Sequence, residues 1–74
     1  MESIIQEILT LVKKKMIEQG GYNRPAYQQF VNETIEYFKE KGKIGDDENT
    51  EFMENRLMQM WESVQESMVY EEED

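Results

Sequence analysis

Residues 24–41 read RPAYQQFVNETIEYFKEK, and this stretch decides the fold. At about 100° per residue, Tyr27, Phe30, Val31, Thr34, Ile35, Tyr37 and Phe38 fall on one half of a helical wheel. Gln28, Gln29, Asn32, Glu33, Glu36, Lys39 and Glu40 take the other half. That division predicts a helix that buries one side and wets the other. Asn23 suits the N-cap, and Pro25 suits the first turn, where a missing N–H costs nothing. Gly42 supplies a stop, and Ile44 can fold back as the apolar contact of a C-cap.

Toward the N-terminus lies a second periodic stretch, from Glu2 to Gln19. Met1, Ile4, Ile5, Ile8, Leu9, Leu11, Val12 and Met16 share an arc of about 160°, wide enough to face two neighbours. Ser3 and Gln6 have capping-box spacing, and Gly20-Gly21 reads as a C-terminal stop. Lys13, Lys14 and Lys15 suit the negative end of the helix dipole. Lys15 falls inside the apolar arc and must extend its ammonium past it to reach water.

Toward the C-terminus, a third stretch starts between Asp46 and Thr50 and runs to Met68 or Tyr70. Met53, Leu57, Met60, Trp61, Val64 and Met68 form a stripe about 100° wide. The reading is therefore an all-α chain: a small three-helix bundle, up-down-up with short loops, with helices at about 2–19, 24–41 and 48–69. An open orthogonal arrangement of the same helices is the alternative. The expected core is Ile5, Ile8, Leu9, Val12, Phe30, Thr34, Phe38, Leu57, Trp61 and Val64. One domain covers 1–70, and the like charges of residues 71–74 predict a frayed acidic tail.

Seventy-four residues suffice for one domain and a modest core. With no cysteine, helix packing must supply the stability, since neither disulfides nor thiolate–metal sites are available. The arcs on the first two helices exceed what one neighbour covers. The surplus, including Ile17 and Ile35, could bury in a homodimer. No apolar run approaches the roughly 18 residues needed to span a bilayer. The N-terminus is acidic where a signal peptide would be basic, so the expected location is cytoplasmic, with no membrane contact.

The chemistry is narrowed by what is missing. Without histidine or cysteine, the commonest general base, the thiolate nucleophile and the usual zinc ligands are gone. Paired carboxylates could act in glycoside hydrolysis only within a cleft that raises one pKa, and so short a bundle has little room for one. The acidic run at 45–51 fails as a calcium loop, because counting from either Asp46 or Asp47 puts Glu51 or Phe52 where the loop needs glycine. No enzyme activity, cofactor or metal is expected.

Charge is divided unevenly. Residues 1–43 carry seven bases and six acids, net +1, whereas 44–74 carry Arg56 against eleven acids, net −10. The total of −9 disfavours direct nucleic-acid binding and favours a protein partner with a basic surface. On the third helix, Glu48, Glu51, Asn55, Gln59, Glu62 and Glu66 follow three- and four-residue spacings and make one polar stripe. Phe52, Met58 and Val69 lie apolar beside it, and methionine adapts to irregular partners. The expected contact residues are Glu51, Phe52, Asn55, Met58, Gln59, Glu62 and Glu66, on a non-enzymatic protein-interaction module. Two alternatives belong to other classes. An acidic nucleic-acid mimic that inhibits a nucleic-acid enzyme needs carboxylates spread over a long face that includes helix 2. A helical nucleic-acid-binding module needs the lysines gathered on one face.

Overall fold

The structure, a computed structural model, describes residues 2–45 and 47–72, with side chains described over 3–45 and 47–67. The described residues form four helices and no strand: α1 (Glu2–Gln19), α2 (Arg24–Glu40), α3 (Thr50–Gln59) and α4 (Trp61–Glu72). The all-helical expectation holds, but the third predicted helix is two helices. It begins at Thr50 rather than residue 48 and divides at Met60.

The ends of α2 follow from local chemistry. The Asn23 side chain accepts the Ala26 N–H at 2.9 Å, capping the helix one residue before it starts. At the other end Gly42 takes φ +76°, which a side chain would oppose. The Gly42 N–H then reaches the Lys39 carbonyl at 3.1 Å and the Lys43 N–H reaches that of Phe38 at 2.9 Å, the paired bonds of a Schellman turn. The apolar contact that usually completes this turn is here a cation over a ring: Lys43 Nζ lies 5.2 Å from the Phe38 centroid. Ile44 goes on into the core.

At the start of α1, Ser3 lies inside the first turn of a helix that begins at Glu2, so it does not serve as the expected cap. The last turn of α1 carries no base, and Lys13–Lys15 sit a turn too early to serve the dipole strongly. Gly20, at φ +72°, closes α1 as expected.

The core is built mainly from α1 and α2. Ile5, Ile8, Leu9, Val12 and Met16 of α1 are buried against Tyr27, Phe30, Val31, Ile35 and Phe38 of α2. From the rest of the chain come Ile44, Met53, Leu57 and Val64. Ile35 is a core residue and not surplus surface, whereas Ile17 is 54% exposed. Trp61, expected in the core, is half-buried at its edge and packs its ring 5.0 Å from that of Tyr27.

The division at Met60 has a tertiary cause. The Tyr27 hydroxyl, buried, donates to the Leu57 carbonyl across the interface. The same carbonyl accepts the Met60 N–H at 3.0 Å, a three-residue turn in place of a four-residue one. The regular pattern resumes when the Val64 N–H reaches the Met60 carbonyl at 3.0 Å. Burial also pushes the Tyr27 pKa up to about 12, because the phenolate would lose its water. Beyond the turn, Val64 of α4 is buried in the core, and a 3.3 Å hydrogen bond from Lys13 Nζ to Ser67 Oγ ties α4 to α1. Of the tail expected to fray, Glu71 and Glu72 belong to α4, and Glu73 and Asp74 lie outside the described residues.

Candidate interaction surface

The outer face of α3 begins at its cap. The Asn49 side chain accepts the Phe52 N–H at 3.0 Å, fixing the first turn. From there Glu51, Phe52, Asn55 and Gln59 share an outward arc of about 100° and are all exposed. Phe52 is 50% exposed, an unusual cost for a phenylalanine in a domain with few apolar side chains to spare.

Other members of the expected stripe fall differently. Met58 is half-buried and packs on the core, so it supports the fold beneath the surface. Glu62 and Glu66 are exposed, but they sit on α4, beyond the turn at Met60. The polar stripe is therefore interrupted between Gln59 and Glu62. The Val69 side chain lies outside the described residues.

Docking of α3 on α2 brings together acids that the sequence leaves apart. Glu36 of α2 joins Glu51 and Glu54 of α3 around a groove of about 350 Å³, with Asn32, Ile35 and Thr50. Among the described residues the ion pairs are Lys15–Glu33 at 3.6 Å and Lys43–Glu7 at 3.1 Å, and neither involves these three acids. The expected contact residues include neither Glu36 nor Glu54. Glu36 sits on the outer half of the α2 wheel and looks solvated, and only the packing of α3 against α2 reveals its neighbours.

The lysines lie on another side. Two adjoining grooves between α1 and α2 share Leu11 and Tyr37. Lys14 and Lys15 border one and Lys41 and Lys43 the other, and α3 and α4 contribute to neither. On the α2 wheel the centre of this face and that of the acidic groove are about 160° apart. The molecule thus has, on one side of α2, a lysine-rimmed face that also holds Glu7, Glu18 and Glu33, and a carboxylate face on the other.

No group of three or more carboxylates that could hold a metal ion occurs among the described residues. The one titratable group with a large shift, Tyr27, is buried and hydrogen-bonded to the backbone, away from both faces. No described helix is long and apolar enough to cross a membrane. Compared with protein-family models, curated proteins and solved structures, the sequence matches none.

Proposed function

We propose that this chain is a non-enzymatic interaction module that contacts a basic protein surface through the outer face of α3 and its continuation on α4. In this reading α3 and α4 act as one bent third arm, so the bundle runs up, down and up. The observation that carries it is Phe52: a half-exposed aromatic on the outward arc of α3 beside Glu51, whose carboxylate also lines the groove with Glu36 and Glu54, and none of these three acids is in an ion pair among the described residues. An apolar anchor framed by charge is how protein contacts combine affinity with orientation. Lysine or arginine side chains entering the groove would meet the carboxylates of Glu36, Glu51 and Glu54 there.

The test is co-purification from source cells, followed by binding of the purified partner to two variants. Glu51→Lys/Glu62→Lys/Glu66→Lys should weaken capture at least about tenfold at physiological salt, and Phe52→Ala by a similar factor. Undiminished binding by both variants would discard the face.

A second reading is an acidic mimic of nucleic acid. It is favoured by Glu36, which extends the carboxylate face from α3 onto α2. It calls for a partner that is a nucleic-acid enzyme and for affinity that falls steeply with salt. A partner bound equally well at low and high salt would remove it.

A further inference from the structure

We infer that the lysine-rimmed groove between α1 and α2 is a docking surface, and that its occupant is the carboxylate face of a second copy of this chain. This rests on the reading of α3 as a contact face and names a partner for it.

The groove has the features of a contact and not of a solvated helix seam. Tyr37, half exposed, stands at its middle, with Leu11 half-buried on the α1 side. Lys41 Nζ sits 5.6 Å from the Tyr37 ring centroid. Lys15 and Lys43 are matched by Glu33 and Glu7. Lys14 and Lys41 are exposed and meet no carboxylate among the described residues. The face therefore offers an aromatic anchor and two cations outside any ion pair among the described residues, Lys14 and Lys41, against one such acid, Glu18.

What fits it is a surface with unmatched carboxylates. The chain itself carries one in Glu36, Glu51 and Glu54, around the groove between α2 and α3. Because the two faces lie on opposite sides of α2, one molecule cannot join its own. Two molecules can, and the contact is then heterologous: each copy uses a different face toward its neighbour, so growth is not closed at two. The overall charge of −9 opposes approach at long range, but salt screens that repulsion beyond about 8–10 Å, whereas the facing charges meet inside that distance. Nucleic acid is the less favoured occupant, since the carboxylate faces would repel a polyanion over its whole length.

The experiment is sedimentation equilibrium of the full chain up to about 1 mM protein, in about 50 mM and about 500 mM salt. The expected result is a mass that rises with concentration past that of a dimer at low salt and falls back toward the monomer at high salt. Lys14→Glu/Lys41→Glu should remain monomeric, and so should Glu36→Lys/Glu51→Lys. All four positions are exposed, so both variants should keep the wild-type helical circular dichroism. Mixing the two should restore association, because each then presents the charge that the other lacks. A monomer under all conditions, a plateau at the dimer, or association unmoved by the reversals would overturn the inference. The lysine variant keeps its carboxylate face. If it still captures a foreign partner while the wild type never self-associates, only the self-docking fails and the function proposed for α3 stands.

Discussion

The α1–α2 pair and the α3–α4 arm are built from similar helical material and are held in different ways. The pair is nearly neutral, carries ten of the buried apolar residues and is joined by the Lys15–Glu33 bridge. The arm contributes Met53, Leu57 and Val64 to the core and is broken at Met60. Folding free energy in so small a domain comes mostly from apolar burial, so the pair is the scaffold and the arm is docked on it. The arm's outward side chains are correspondingly free to serve contact; Phe52 lies among them, and Glu51 and Glu54 of the arm line the groove against α2.

The contrast is broken most directly by truncating one core side chain on each side. Phe38→Ala removes a ring from the centre of the pair and should cost about 4 kcal/mol. In a domain this short that approaches the whole stability, so thermal melting by circular dichroism should show a largely unfolded chain at 25 °C. Val64→Ala on α4 should cost about 2 kcal/mol, with α1 and α2 still helical. Equal losses from the two would mean that the arm is as integral to the fold as the pair.

The next test sharpens the join between them. Tyr27→Phe keeps the ring against Trp61 but deletes the hydroxyl on the Leu57 carbonyl, and it should cost about 1 kcal/mol. The pH dependence has a defined sign. The Tyr27 pKa is raised in the folded state to about 12 from an ordinary value of 10.0, so its contribution is full below pH 10 and is lost as pH rises through 12. Urea midpoints between pH 9 and 12 should fall less steeply for Tyr27→Phe than for the wild type. Parallel slopes would mean that this hydroxyl does not govern the alkaline loss.

The same join shows how far sequence reading reaches. Asn23, Pro25 and Gly42 act on neighbours within a few residues, so the ends of α2 are legible in the sequence itself. The break at Met60 is not, because its cause is a hydroxyl 30 positions from the carbonyl it binds. Within 48–69 the apolar period runs on without glycine or proline, and nothing local announces a turn. The candidate face divides in the same way. Glu51, Phe52, Asn55 and Gln59 share one helix, and their common side follows from their spacing. Glu36 joins Glu51 and Glu54 only through packing, and Glu62 and Glu66 leave the continuous stripe because of the turn. Helical periodicity places Met58 beside the polar stripe but cannot say that a neighbouring helix half-covers it.

The smallest expected effect lies inside the scaffold and has the opposite sign. Thr34 is 1% exposed, and its hydroxyl has no hydrogen-bond partner among the described residues. It sits where α2 faces α1, on the apolar half of the wheel, so an oxygen there gives up water and receives nothing in return. Thr34→Val replaces that hydroxyl with a methyl group of similar size and keeps the β-branched shape. Removal of the unmet desolvation cost should stabilise the chain by roughly 0.5–1 kcal/mol, visible as a rise in the urea midpoint at unchanged slope. The change lies wholly in the pair, so the circular dichroism spectrum and the binding of any partner to α3 should be unaltered. A loss of stability would show that the hydroxyl is paired in solution. The α1–α2 interface would then hold a polar contact, and the division into apolar scaffold and polar arm would be less complete than the burial pattern indicates.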